Sequence, residues 1–121
     1  YNYPKIIDKL RKNTIGVRHC ILESLRLNSP VITLFRENIN EIEINGEIYG
    51  KKSQFVILPN SLMRDSRYFE KPNEYIPERW KDIDESNFAV LMFGQGPQKC
   101  PGKEMAINII TQYIKKYLGI N

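Results

Sequence analysis

The sequence is poor in the residues on which several classes of protein depend. It contains two cysteines, Cys20 and Cys100, and a single histidine, His19. Two cysteines are too few for a disulfide-rich scaffold, and a structural zinc site usually takes four Cys or His ligands, so it is a poor fit. No apolar run approaches the about 18 residues that a membrane-spanning helix needs, so we expect no membrane span in this segment.

The charge balance excludes a further class. Lys and Arg number 18 and Asp and Glu number 14, which gives a net charge of +4. Such a balance is compatible with an acidic partner. The carboxylates offset too much of the positive charge for a nucleic-acid-binding stripe, so no nucleic-acid partner is expected. With 121 residues, of which 41% are hydrophobic, the chain has the composition of one globular unit with a small core.

Helical patterns open and close the chain. The first twelve residues predict a short basic helix, and a second helix is predicted over about 15–27, with Asn13 and Thr14 as its N-cap. A last helix with a broad apolar face is predicted over about 101–118, and Gly119 is a typical C-terminal stop.

The middle of the chain has the pattern of short strands. Alternating residues at 41–44 and 47–49 flank an Asn45-Gly46 pair, which predicts a tight hairpin because both turn positions need positive φ. Further strands are predicted at 31–35 and 54–58, and one helical turn at 61–65. Residues 68–88 are rich in proline and asparagine and predict a long, ordered but irregular loop. The expected fold class is mainly α with a small antiparallel β-sheet (α+β).

The segment 93–102 has the clearest chemistry. Cys100 lies at the mouth of the last predicted helix, where the helix dipole and Lys99 favour the thiolate, and nearby glycines let a flat ligand approach the backbone. One thiolate beside the aromatic Phe93 fits axial ligation of haem iron better than it fits zinc. The alternative from the residues alone is an inert, buried cysteine in a glycine-rich loop.

Two further clusters are weaker evidence for a functional role when each is taken alone. Glu23 and Arg26 share a helix face at i, i+3 and can pair, although such pairs are usually solvated surface charges. Arg79 lies in an irregular, aromatic-bounded segment, where a guanidinium can hold several backbone carbonyls or a carboxylate. The alternative for Arg79 is an ordinary surface turn.

Taken together and in this order, these segments resemble the C-terminal region of the cytochrome P450 family, the haem-thiolate monooxygenases. The Glu-x-x-Arg at 23–26 resembles a family helix, and the Pro-Glu-Arg-Trp at 77–80 resembles the family's meander. The Phe-x-x-Gly-x-x-x-Cys-x-Gly run at 93–102 resembles its haem-binding loop. The resemblance covers about 14–119, and it implies that residues 1–121 are a partial domain of that fold.

The resemblance implies roles for the residues of the loop. Cys100 matches the thiolate ligand of the iron of haem b, and Phe93 matches the aromatic that packs near the sulfur. Gly96 and Gly102 match positions that leave room for the haem. No residue of this segment is assigned a catalytic role by the resemblance.

The resemblance also implies roles outside the loop. Arg36 resembles the propionate-binding arginine, whereas Gln98 stands where many members carry an Arg or His that holds a propionate. Glu23, Arg26 and Arg79 match a buried triad that locks the meander under the haem.

The implied function is that of a haem-thiolate monooxygenase, which uses dioxygen to oxidise a small, lipophilic organic substrate. Electrons would come from a flavoprotein reductase or a ferredoxin. Nothing in the sequence resembles the family's distal helix, so we expect this segment to be a fraction of a complete member and inactive alone. Alternatives are a truncated or degenerate haem-binding or interaction module, and a small basic binding domain unrelated to haem.

The charges near the loop lead to a prediction about docking. Lys99 and Lys103 flank the thiolate, and Arg18 lies one helix away, so we expect a docking face for an acidic electron donor. The sequence does not indicate where the protein resides, although a eukaryotic member would be held at the endoplasmic reticulum through an anchor that this sequence lacks.

Overall fold

The computed structural model describes residues 3–94 and 96–120, without the side chains of 88–91. Helices dominate this described part of the chain. The α-helices are α1 (Tyr3–Arg11), α2 (Val17–Leu27), α3 (Pro59–Leu62), α4 (Glu85–Phe93) and α5 (Lys103–Leu118). Two 3₁₀ helices cover Pro77–Lys81 and Gly96–Gln98. None of the helices described is both long and apolar enough to cross a membrane.

Four short strands form two antiparallel pairs. They are β1 (Leu34–Glu37), β2 (Ile42–Ile44), β3 (Glu47–Tyr49) and β4 (Gln54–Ile57). β1 pairs with β4, and β2 pairs with β3. Asn45 has φ 53° and Gly46 has φ 84°, so the predicted hairpin turn is confirmed. The expected mainly α architecture with a small antiparallel β-sheet is confirmed as well, although the strands form two separate two-stranded sheets.

The strand predicted at 31–35 begins later than the sequence indicates. The hydroxyl of Ser29 accepts a hydrogen bond from the Val31 N–H at 3.3 Å and donates one to the Val31 carbonyl at 3.0 Å. This local turn occupies both backbone groups of Val31, so the ladder begins only at Leu34, opposite Ile57.

The boundary between the first two helices differs from the prediction. Asn13 takes φ 55° and Thr14 donates its hydroxyl to the Lys9 carbonyl at 3.1 Å, so these residues close α1 instead of capping α2. Gly16 is the N-cap of α2, and its N–H donates to Nδ1 of His19 at 3.4 Å. The predicted first helix is confirmed over Tyr3–Arg11, while its first two residues lie outside the described part.

The segment 68–88 is more regular than predicted. Pro77 begins a 3₁₀ helix, and α4 starts at Glu85 because the Asp84 carboxylate accepts the Ser86 N–H at 2.9 Å.

The last helix starts at Lys103 instead of 101, with Gly102 as its N-cap. Gly119, at φ 63°, ends it as expected.

The core lies around α2. This helix packs against the 3₁₀ helix Pro77–Lys81 on one side and against α5 on the other. The buried core consists mainly of aliphatic, sulfur-containing and aromatic side chains: Leu10, Ile15, Val17, Cys20, Ile21, Leu22, Met63, Phe69, Trp80, Met92 and Ile107. α5 buries Ile107 here but leaves several large apolar side chains exposed, namely Met105, Ile109, Ile110, Tyr113 and Tyr117.

Candidate functional site

Cys100 lies in a tight loop that joins α4 to α5. Its N–H donates to the carbonyl of Phe93 at 2.7 Å, which folds the loop back onto the end of α4. Gly94 has φ 73°, and a Cβ at this position would lie 3.0 Å from the Gln98 carbonyl oxygen, so the turn requires glycine. Cys100 itself is exposed. The alternative of a buried cysteine is therefore wrong, while the part of Cys100 in ligation stays a prediction.

An open cleft of about 350 Å³ lies next to this cysteine. It brings Cys100, Phe93 and Gln98 together with Arg36, which comes from β1 more than fifty residues earlier. The rest of the described lining is mostly apolar and consists of Pro30, Val31, Leu34, Met92 and Gly94. The cleft thus combines a thiol, a cation and an amide with an apolar wall.

Arg36 is available to an anion in this cleft. Its Nη1 donates to the Phe35 carbonyl at 2.8 Å, and it forms no ion pair with any described residue. Gln98 is exposed at the same cleft and can donate through its side-chain amide.

These residues fit a haem group. A thiolate is a ligand for haem iron, a guanidinium and an amide can hold the propionate carboxylates, and an apolar wall can pack against the macrocycle. The fit rests on the thiol, the guanidinium and the amide that line this one cleft.

The two other predicted glycines are placed differently. Gly102 is the N-cap of α5, and Gly96, at φ 67°, begins the short 3₁₀ helix. Among the described residues, neither belongs to the lining of the cleft. A Cβ at either position would point into open space, so their predicted role in leaving room for the haem stays a prediction.

The Glu23–Arg26 pair is fully buried, so the alternative of a solvated surface pair is wrong. Arg26 donates through Nε and Nη2 to the two Glu23 carboxylate oxygens, each at 2.9 Å. Its remaining donors reach three backbone carbonyls at 2.7 to 3.0 Å, those of Met63, Pro72 and Glu74. The guanidinium therefore ties α2 to the segment that follows α3.

Glu23 collects further donors from the meander. Arg79 Nε lies 3.1 Å and the Ile76 N–H 2.9 Å from one carboxylate oxygen, and the Trp80 indole N–H lies 2.9 Å from the other. Burial alone raises the pKa of the Glu23 carboxyl, but the hydrogen bonds from Arg26, Ile76 and Trp80 outweigh it and hold the pKa below its ordinary value. The cluster is a satisfied ionic network that ties α2 to the meander.

A second ionic cluster lies beside the Cys100 loop. Arg18 from α2 contacts Glu85 at 2.9 Å and Glu104 at 3.0 Å, and Lys103 contacts Glu85 at 2.6 Å. Two cations and two carboxylates cancel, so Arg18 and Lys103 add no net charge to the predicted docking face, which stays a prediction. Lys99 is exposed and is the one member of that predicted face without an ion pair to a described residue.

Sequence reasoning missed several residues of the site. Trp80 completes the Glu23 network. The available signal in the sequence was its place directly after Arg79. Val31, Leu34 and Met92 line the cleft. Their only signal was apolar character, which also indicates core residues, so only the tertiary fold could assign them.

Known proteins resemble the chain along nearly its whole length. Cytochrome P450 85A1 of Solanum lycopersicum is 27% identical over 98% of this chain and 30% of its own length. The 3-epi-6-deoxocathasterone 23-monooxygenase of Arabidopsis thaliana is 31% identical over 71% of this chain and 18% of its own. The chain therefore spans less than a third of these curated relatives.

A solved structure supports the fold. Cytochrome P450EX alpha, determined with myristic acid, superposes with a TM-score of 0.84 over 93% of this chain and 29% of its own. At 19% identity this likeness concerns the fold alone. The family model described as Cytochrome P450 matches residues 5–118. The resemblance carried by the three motifs is thus confirmed, and the chain belongs to the cytochrome P450 family of haem-iron oxidoreductases.

Proposed function

We propose that this chain supplies the proximal, haem-binding part of a haem-thiolate monooxygenase, with Cys100 as the axial ligand of haem b. The observation that carries the proposal is the cleft that places the exposed Cys100 thiol beside Arg36 and Gln98 within an apolar wall. On this proposal, residues 1–121 are a partial domain of the cytochrome P450 fold.

Each residue of the proposed haem site has a distinct task. Cys100 provides the sulfur, and Arg36 and Gln98 hold the propionates, with Arg36 contributing the charge that Gln98 lacks. Phe93 packs beside the sulfur and keeps water from it. Gly96 and Gly102 leave the backbone free of side chains where the macrocycle lies.

The network around Glu23 has a structural task. It holds the meander against α2 through Arg26, Arg79 and Trp80, and on this proposal it has no direct part in binding haem or substrate. A haem bound in this way supplies the redox chemistry by which dioxygen is split and one of its atoms enters an organic substrate.

The reaction needs partners that the family generally uses. A flavoprotein reductase or a ferredoxin supplies electrons, and the substrate is a small, lipophilic organic molecule. The monooxygenase name of the Arabidopsis thaliana relative supports oxidation of an organic substrate.

The proposal is tested with the chain, added ferric haem, a reductant and carbon monoxide. The reduced complex is expected to show the red-shifted Soret band of thiolate ligation, and Cys100→Ser is expected to abolish it.

Cys20→Ala is the matched control for this experiment. Burial, chiefly, raises the pKa of the Cys20 thiol to about 11, so this cysteine stays protonated, and the variant is expected to keep the band. A band that survives in Cys100→Ser, or that disappears only in Cys20→Ala, would contradict the proposal.

A further inference from the structure

Lys103 lies over the ring of Phe93. Its ammonium nitrogen is 5.4 Å from the ring centroid, a distance at which the cation is attracted to the negative face of an aromatic ring. Phe93 is the residue whose carbonyl accepts the Cys100 N–H, and it lines the cleft beside the sulfur. A lysine at the start of α5 therefore contacts the ring of a residue that lines the same cleft as Cys100.

The position of this ammonium is fixed from two other helices. The Lys103 side chain is 15% exposed and lies 2.6 Å from a Glu85 carboxylate oxygen. Arg18 donates to both oxygens of Glu85 at 2.9 Å, so the carboxylate cannot easily turn away. Burial raises the pKa of Glu85, but hydrogen bonds from Arg18 and Lys103 outweigh it, and Glu85 stays charged. The cation is held in place rather than free in solvent.

Cys100 lines two clefts, and the other residues that line them differ. The first is the apolar cleft that contains Phe93 and Arg36. The second, of about 340 Å³, is lined by Lys103, Cys100, Lys99, Pro101 and Glu104. Lys103 thus borders the thiol on a side of the loop that the apolar cleft does not use.

We propose that Lys103 is a positioning residue of the haem-thiolate site, which pins the Phe93 ring beside the sulfur and places a fixed positive charge behind it. The inference rests on the proposed function and extends it to a residue outside the haem cleft.

Two consequences follow for a bound haem. A fixed cation near the ligand favours the state that carries one more electron, so removing it lowers the reduction potential. A ring that is no longer pinned protects the sulfur less well, so haem is lost faster. Residues that orient a metal ligand from outside typically change metal affinity by about 10- to 100-fold, and we expect about tenfold faster haem loss here.

The contact itself is tested without haem by a double-mutant cycle in the unfolding of the chain. Lys103→Met keeps the length of the side chain and removes its charge, and Phe93→Leu removes the ring. Glu85 retains Arg18 in Lys103→Met, so the variant is expected to fold. We expect a favourable coupling of about fivefold in the unfolding constant. Additive effects of the two changes would overturn the pinning.

The effect on the site is tested in the haem-loaded chain. Lys103→Met is expected to lower the reduction potential and accelerate transfer of haem to a scavenger protein, whereas Lys103→Arg, which keeps the cation, is expected to restore both. Lys116→Met removes an exposed charge at the far end of α5 and is expected to change neither.

Two results separate this inference from the proposed function. Loss of the thiolate spectrum in the unmodified chain would defeat the proposed function, while the coupling in the haem-free chain would still decide the pinning. An unchanged potential and haem-loss rate in Lys103→Met, with the thiolate spectrum present, would overturn the inference alone.

Discussion

Arg26 is the residue on which the structure around the site depends most. It is fully buried, its donors are engaged by Glu23 and three carbonyls, and its guanidinium carbon lies 5.0 Å from the Phe69 ring centroid. A buried charge of this kind is costly to leave unpaired, whichever partner is removed.

Arg26→Ala is therefore expected to destabilise the fold by about 3–5 kcal/mol, because it leaves the buried Glu23 carboxylate short of its main partner. Chemical denaturation of the chain measures this change, and haem retention should fall with it. Arg67→Ala is the control, since the Arg67 side chain is 77% exposed. A stable, haem-loaded Arg26→Ala protein would contradict the structural role of the network.

At the scale of elements, we expect the start of α2 to respond to pH. His19 accepts the Gly16 N–H through Nδ1, and its pKa is lowered from 6.5, first by burial and then by the charges of Lys81 and Arg18. Glu85 is the carboxylate that opposes this effect. Protonation of His19 would remove its acceptor nitrogen from the N-cap.

The sign of the pH dependence follows from that lowered pKa. Below pH 6.5 the unfolded chain binds a proton at His19 that the folded chain resists, so stability is full above pH 6.5 and falls as the pH decreases. Glu23 and Glu85 have pKa values below 4.5, so their contributions are lost only at more acidic pH. Urea unfolding between pH 7 and about 5 measures the first loss.

His19→Gln is the matched variant, because an amide can accept the Gly16 N–H without titrating. Its stability is expected to be flat over the window in which the unmodified chain loses stability. An equal pH dependence in both proteins would assign the loss to another group.

The sequence was sufficient where structure is set locally. Asn45-Gly46 and Gly119 predicted their turns correctly because a positive φ restricts the choice of residue at the position itself. Asn13 and Thr14 were wrongly predicted to be the N-cap of α2. A capping residue can serve either of two adjacent helices, and the packing of the chain decides which.

The candidate site was predictable only in part, because the packing of distant elements decides several of its contacts. The family resemblance singled out Cys100, Arg36 and Gln98, and one cleft brings these three residues together. The pairing of Lys103 with Glu85, and of Trp80 with Glu23, joins separate elements through space. No sequence spacing indicates such contacts, so the basic docking face was predicted where an internally paired cluster lies.

At the scale of the whole molecule, α5 presents apolar side chains to solvent. Ile109 is 63% and Tyr113 is 70% exposed, and Tyr113 stacks with Tyr117 at 6.5 Å between ring centroids. An apolar surface of this extent favours association.

We therefore expect the chain to associate as its concentration rises, because α5 exposes apolar area that association removes from water. Sedimentation velocity measures this, and Tyr113→Glu is expected to shift the population towards monomer. Asn108→Glu adds the same charge at an exposed polar position of α5 and is the control. Equal effects of the two variants, or a monomer at every concentration, would contradict the role of the apolar face.

The chain is also expected to bind haem without coupled oxygenation. The described residues at Cys100 line two open clefts, whereas oxygenation needs an enclosed pocket that excludes water and positions a substrate. Reductase-driven product formation from a generic lipophilic substrate, measured against NADPH consumption, tests this. Coupled turnover by the chain would show that it forms such a pocket.

The most direct test of the central claim is X-ray absorption at the iron edge of the haem-loaded chain, because it reports the atoms bound to iron. The account predicts one sulfur scatterer in the unmodified chain and in Cys20→Ala, and none in Cys100→Ser. Iron without a sulfur neighbour in the unmodified chain, or a sulfur neighbour that persists in Cys100→Ser, would contradict the assignment of Cys100 as the haem ligand.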